Sequence, residues 1–207
     1  SVPDAELPDA SVPGDVPPTP ITLAWERLPD DGPSARSSSM ATLGERVVLF
    51  GGLGTGGAND YQDGTWIWQD GTWSELAVEV RPLARRDAMF GEVGGELVLF
   101  SGVGRDADGS LGTLDDIWAF DGAAWRELHP APGPDGRQEA AYTSYDGRLC
   151  LHGGAGSGAA RLPDGWCFDG ERWTELPLGP PAQRAATLTS VNGALLLTGG
   201  STPGAAP

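Results

Sequence analysis

The stretch "TWIWQDGTWSEL", residues 65–76, decides the fold. It places the dipeptide Asp70-Gly71 between two segments in which apolar and polar residues alternate. Asp-Gly in this setting is the strongest short signal for a two-residue β-hairpin turn. The stretch therefore predicts two antiparallel strands, with Trp66 and Trp68 on one face of the first strand.

The hairpin is repeated along the chain. Trp73 has counterparts at Trp25, Trp125 and Trp173, at intervals of 48, 52 and 48 residues. A second tryptophan stands seven residues before each of the last three. The same Asp-Gly turn lies between the two tryptophans, at Asp70-Gly71, Asp121-Gly122 and Asp169-Gly170. A period near 50 residues indicates one supersecondary unit used several times.

Apolar runs upstream of the tryptophans complete the unit. They read VVLFGG (47–52), LVLFSG (97–102), LCLHGG (149–154) and LLLTGG (195–200), and each follows a tight turn. Each unit thus predicts four short antiparallel strands, which we name a, b, c and d. Helical periodicity is missing throughout, so the predicted class is all-β.

The unit resembles the kelch repeat, through its glycine pair after strand b and its tryptophans on strands c and d. The resemblance covers about residues 21–200 and implies a β-propeller of four-stranded antiparallel blades around a channel. In a propeller both faces of a blade pack on neighbours, so the tryptophans are expected between blades. The expected blades are 36–76, 85–128, 137–176, and 184–200 completed by an N-terminal strand at 22–28.

This pattern amounts to three full blades and one without its strand c. Three arrangements stay open, namely a minimal four-bladed ring, half of a dimeric ring, or a piece of a longer protein. Self-association or truncation is the favoured interpretation, because an unclosed ring exposes edge strands. Residues 1–20, rich in proline and acidic residues, predict a disordered tether, and residues 201–207 a tail.

Composition narrows the partners. The formal net charge is −16, and all 13 basic residues are arginine. A cationic surface for nucleic acid or anionic lipid is therefore not expected. No apolar run is long enough to insert into a membrane. The tether resembles the linkers behind the export or lipid-anchor signals of bacterial surface proteins, so we expect a periplasmic, cell-surface or secreted protein.

One aligned column carries the candidate ligand site. Strand a is innermost in the fold that the resemblance implies, so the residues that begin it stand near the channel mouth, on the face with the long loops. The column consists of Arg36, Arg86, Gln138 and Arg184, with Arg85 and Arg137 beside it. Converging guanidinium groups suit a carboxylate or a phosphate, and kelch propellers often bind acidic peptides on this face. The alternative is that these arginines tie loop carbonyls and carboxylates together.

Two cysteines fall in one blade. Cys150 lies on strand b and Cys167 on strand c, and these strands are expected to pair. Directly opposed residues lie within disulfide reach. The sequence does not fix the register, so both a disulfide and two buried thiols stay open.

No catalytic residue, metal site or cofactor is predicted. His129 and His152 lack partners at metal-ligand spacing, and the Asp-rich segment 106–116 has Leu111 where a calcium loop needs glycine. Gly52, Gly54 and Gly57 match a dinucleotide fingerprint, but a hairpin follows them instead of a helix. We regard that match as coincidence.

The leading hypothesis is a non-catalytic binding or assembly module that recognises a peptide or small anionic ligand, or its own copy. One alternative is an enzyme, or a fragment of one, built on a kelch propeller. Another is a purely structural segment that completes its ring by oligomerising.

Overall fold

The computed structural model describes residues 32–34, 37–177, 179–181 and 183–201. Within them the chain forms a series of antiparallel sheets. The predicted tether, the predicted strand 22–28 and Arg36 lie outside the described residues, as does the tail from residue 202 onward.

The first sheet shows the predicted unit in its simplest form. Its strands are β1 (Ser39–Leu43), β2 (Arg46–Leu53), β3 (Tyr61–Gln69) and β4 (Thr72–Leu76), and they pair in chain order. Asp70 and Gly71 join β3 to β4 with φ angles of 52° and 83°. Positive φ at both central positions is what a hairpin turn of this type requires.

The second unit is divided into a four-stranded and a three-stranded sheet. The four-stranded sheet pairs β6 (Met89–Val93), β7 (Glu96–Phe100), β10 (Ile117–Phe120) and β11 (Trp125–Leu128). The three-stranded sheet pairs β5 (Arg85–Arg86), β8 (Val103–Arg105) and β9 (Leu111–Thr113). Asp87 and Ser101, both at positive φ, separate the two sheets.

The remaining strands form two further sheets. The third sheet contains β12 (Ala141–Tyr145), β13 (Arg148–His152), β14 (Gly165–Phe168) and β15 (Trp173–Glu175), with a short 3-10 turn at Ser157–Ala159. The fourth contains β16 (Arg184–Val191) and β17 (Ala194–Ser201). The all-β prediction with four-stranded antiparallel sheets is confirmed. No helix in the described part of the chain has the length and apolarity to cross a membrane.

The glycine pair after strand b has a structural cause. Gly51 and Gly52 have φ angles of 66° and 107°, and Gly153 and Gly154 have 70° and 96°. A side chain at Gly51 would begin 2.5 Å from the carbonyl oxygen of Arg85 in the next unit. The pair thus allows both left-handed backbone and close contact between sheets. β2 ends at Leu53, and the loop after it leads into strand β3 and not into a helix. The match of Gly52 to a dinucleotide fingerprint is therefore a coincidence, as predicted.

The core lies between consecutive sheets. Phe50 of the first sheet packs on Trp125 of the second, with ring centroids 5.2 Å apart, and Phe100 packs on Trp173 of the third at 4.9 Å. Trp118, Trp125 and Trp173 are buried as predicted. Trp166 is half-buried and packs against the core between the second and third sheets. The prediction is wrong in degree for the half-buried Trp66, Trp68 and Trp73 of the first sheet. For the first sheet the reason is that no described strand covers the face of Trp66 and Trp68.

Candidate functional site

Two adjacent residues at the start of strand a have opposite environments. Arg85 and Arg137 have side chains with no exposed surface, whereas the side chain of Arg86 is 29 % exposed. Successive residues of an extended strand point to opposite sides, so only one residue of each pair can face the rim. The inner position carries a structural network and the outer one carries the predicted ligand column.

The inner arginine of the second unit forms a bidentate ion pair. Arg85 Nη1 and Nη2 donate to the two carboxylate oxygens of Asp116, at 2.5 and 2.6 Å. Its Nε donates to the carbonyl of Leu83, and Nη1 donates to that of Ser101. Trp118 Nε1 donates to the same carboxylate at 2.7 Å. The guanidinium therefore joins strand a, strand b and strand c.

The third unit repeats this arrangement atom for atom. Arg137 donates to both oxygens of Asp164, at 3.0 and 2.9 Å, and to the carbonyls of Asp135 and Gly153. Trp166 Nε1 donates to Asp164 at 2.6 Å. The prediction noted these arginines only as neighbours of the column. The ion pair could have been recognised from the sequence. In both units an aspartate stands two residues before the first tryptophan and accompanies the inner arginine.

Both aspartates are held in their ionised form. Burial alone would raise the pKa of Asp116 and of Asp164. The hydrogen bond and charge of the paired arginine, together with the indole donor, outweigh burial and lower each pKa below the usual 3.8. A carboxylate in this position is thus a fixed charge across the physiological pH range.

Two arginines of the predicted ligand column are partly exposed and lie beside carboxylates. Arg86 Nη1 contacts the carboxylate of Asp87, and Arg184 Nε lies 3.4 Å from a carboxylate oxygen of Glu139. Gln138 pairs through its backbone with Ala155 and is half-buried. Arg36, the fourth predicted member, lies outside the described residues.

The residues that follow the column line a cavity of about 260 Å³ at the inner ends of the sheets. Ser37, Asp87, Glu139 and Ala185 occupy equivalent positions there, with φ angles of 55°, 56°, 55° and 54°. Backbone hydrogen bonds connect Asp87 to Ser37 and Ala185 to Glu139 across neighbouring sheets. Serine, alanine and tyrosine side chains form most of the cavity wall, together with the two carboxylates that pair with Arg86 and Arg184.

Burial raises the pKa of two ionisable groups that line this cavity. Desolvation raises the pKa of Asp87 above its usual 3.8, although the charge and hydrogen bond of Arg86 oppose the change, and the charge of Glu139 adds to it. Desolvation likewise raises the pKa of the Tyr142 hydroxyl. Asp87 thus accepts a proton more readily than an ordinary aspartate does as the pH falls.

The two cysteines are directly opposed on β13 and β14. Their Cα atoms lie 4.0 Å apart, and the side chains form a disulfide in this structure.

His152, on β13, is buried with no hydrogen-bond partner for either ring nitrogen among the described residues. Burial lowers its pKa. His152 is consequently a neutral core side chain at a position where Phe50 and Phe100 stand in the other sheets.

The Asp-rich segment 106–116 uses its first carboxylate internally. Asp106 Oδ1 accepts hydrogen bonds from the backbone of Asp108 and Ser110, at 3.0 and 2.8 Å. Among the described residues no group of three or more His, Cys, Asp or Glu side chains is arranged to hold a metal ion.

Repeated four-stranded antiparallel sheets, packed face to face with strand a innermost, define a β-propeller. The chain matches the model of the KLHDC2/KLHL20/DRC7 Kelch-repeats domain over residues 19–200. The protein therefore belongs to the kelch-repeat family, as its glycine pairs and tryptophans predicted.

A solved structure of the same fold is that of YjhT, which superposes with a TM-score of 0.69 at 18 % sequence identity. The match covers 86 % of this chain and 60 % of YjhT. At this identity the likeness concerns the fold alone. No curated protein matches the chain.

Proposed function

We propose that the protein is a non-catalytic binding module that receives an acidic peptide or a small anionic ligand at the channel mouth. The observation that carries the proposal is the state of Arg86 and Arg184. Each guanidinium is partly exposed and contacts a carboxylate through one nitrogen only, within the described residues. A guanidinium has five N–H donors, so most of them stay available to a ligand carboxylate or phosphate.

The neighbouring carboxylates set the conditions for binding. Asp87 competes with an anionic ligand for Arg86, and Glu139 competes for Arg184. Because the pKa of Asp87 is raised, Asp87 takes up a proton at a higher pH than an ordinary aspartate does, which leaves Arg86 without its competitor. Binding of a ligand that stays ionised is therefore expected to strengthen as the pH falls through the raised pKa of Asp87.

The test is calorimetric titration with an acetylated and amidated tri-glutamate peptide, with tri-glutamine as the uncharged control. Arg86→Ala and Arg184→Ala should each weaken tri-glutamate binding by about tenfold. Arg172→Ala removes one positive charge from a hairpin at the other end of the sheet and should change little. Equal binding by all three variants, or equal binding of tri-glutamine, would refute the channel-mouth site.

Assembly with a second copy is a further candidate role, and one observation favours it. Leu49, Trp66, Trp68 and Trp73 are half-buried on the first sheet, whereas their counterparts on the second sheet, Leu99, Trp118, Phe120 and Trp125, are buried. A contiguous aromatic face is typical of an interaction surface. Light scattering over a range of concentrations tests this role, and a monomer at every concentration would exclude it.

A further inference from the structure

The first unit lacks the ion pair that the next two units share. The inner arginine of those units is replaced by Ala35, and the aspartate is replaced by Gly64. Both partners are thus absent together, while the tryptophan that contacts the aspartate is kept as Trp66. Position 35 lies outside the described residues, but alanine carries no group that could make these hydrogen bonds.

A cavity of about 220 Å³ occupies the corresponding place. It is lined by Pro33, Gly51, Gly64 and Trp66, which are the repeat counterparts of the residues around Arg85 and Arg137. In those units the residues at the positions of Pro33 and Gly51 offer carbonyl oxygens to the guanidinium. The described lining of the cavity thus keeps the positions of these acceptors and includes no basic side chain.

Another strand supplies a carboxylate to this cavity in place of the missing aspartate. Glu75 on β4 places an oxygen 3.1 Å from where a side chain at Gly64 would begin, which is the direction of the missing aspartate. Asp63 and Gln62 lie on the same wall. Among the described residues, Asp63 pairs with Arg81, whose Nε lies 3.8 Å from its carboxylate. Acceptors and negative charge thus surround a space that holds a guanidinium in the sibling units.

We infer that this cavity, the blade-one slot, binds the guanidinium of an arginine side chain presented by a partner peptide. The guanidinium takes the position of Arg85 and Arg137, donates to the carbonyls of Pro33 and Gly51, and pairs with Glu75 in place of aspartate. A planar fork of donors fits this set of acceptors better than an ammonium does. The slot is separate from the channel mouth and does not depend on the anionic site there.

The test follows the indole signal of Trp66 by NMR during titration with acetyl-arginine methylamide. Acetyl-lysine methylamide and acetyl-citrulline methylamide are the controls, since citrulline keeps the shape without the charge. The arginine derivative should bind about tenfold more tightly than either control. Glu75 is exposed, so Glu75→Gln is expected to fold normally and should reduce arginine binding by a similar factor.

Glu127→Gln is the matched variant, because Glu127 holds the same place in the second unit, where Arg85 already fills the site. It should bind the arginine derivative as the unchanged protein does. Equal loss in Glu75→Gln and Glu127→Gln, equal affinity for arginine and citrulline, or no response of Trp66 would overturn the inference. So would binding that appears only in Arg36→Ala, since the chain's own arginine would then occupy the slot. Arg86→Ala should leave this titration unchanged, which distinguishes the slot from the channel mouth.

Discussion

At the scale of single residues, each ion pair of the second and third units is expected to be destabilised most when one partner is removed and the other is kept. Asp164→Ala leaves Arg137 charged, fully buried and without its carboxylate. We expect a loss of about 3 kcal/mol in the free energy of unfolding, because an uncompensated buried charge is costly. Urea denaturation measures the change.

Removing both charges provides the control. Arg137→Met combined with Asp164→Ala deletes the unpaired cation while keeping apolar volume in its place. This double variant should unfold at a higher urea concentration than Asp164→Ala alone. If the double variant were the less stable of the two, the pair would act through packing and not through charge.

The cysteines give a second prediction at this scale. Cys150 and Cys167 are expected to be linked by a disulfide in protein that is isolated from an oxidising compartment. Mass spectrometry of a digest made without reductant should detect one linked pair of peptides that reduction separates. Cys150→Ala with Cys167→Ala should lower the free energy of unfolding by about 2 to 4 kcal/mol. Recovery of both cysteines as alkylated thiols before reduction would show that the prediction is wrong.

At the scale of strands, the end of strand b holds neighbouring units together. Gly153 has a φ of 70°, and a side chain there would begin 2.4 Å from the carbonyl oxygen of Gln183 in the next unit. Gly147 has nearly the same φ, 69°, but nothing lies within 4 Å of its missing side chain. The two glycines thus differ in packing and agree in their φ angle.

This match separates two costs of substitution. Gly147→Ala should lose only the cost of left-handed backbone, about 1 kcal/mol. Gly153→Ala should lose clearly more, because backbone atoms of the next unit must move. Thermal unfolding of the two variants compares them, and an equal decrease in Tm would mean that the contact between units contributes nothing.

The strands themselves could be predicted from the sequence, because alternation and Asp-Gly turns act locally. The repeat added the order of the strands, since each element was seen several times. Register between strands b and c could not be predicted, because the segment that connects them differs in length from one unit to the next. The opposed position of Cys150 and Cys167 therefore emerged only from the structure.

The candidate site was predictable only in part for a related reason. The sequence aligns Arg86 with Arg184 but does not show which of two adjacent arginines points inward, so Arg85 and Arg137 were not assigned to their ion pairs. Nor does it show that Glu139, which follows Gln138, pairs with Arg184 of the next unit. The replacement of the buried arginine by Ala35 and of its aspartate by Gly64, by contrast, can be seen by comparing the repeats.

At the scale of the whole molecule, the sheets pack in chain order, first on second, second on third and third on fourth. Each buried arginine lies beside one of these contacts, and Ser101 connects the second unit to the third through the backbone of Arg137. Opening one ion pair is therefore expected to loosen an interface between sheets, and acid should do this at two places together.

The final prediction concerns this acid response. Asp116 and Asp164 have lowered pKa values, so their stabilising contribution is complete above the usual carboxyl pKa of 3.8 and is lost as the pH falls toward the lowered values. Asp87 acts in the opposite sense, because its raised pKa means that protonation relieves its cost of burial. The free energy of unfolding should therefore hold steady or rise slightly as the pH falls toward about 4, and then decrease steeply. Urea denaturation at a series of pH values measures this curve, and Arg137→Met with Asp164→Ala, which keeps only the pair of Asp116, should show a smaller decrease below pH about 4. The same decrease in both proteins would assign the acid response to other carboxylates.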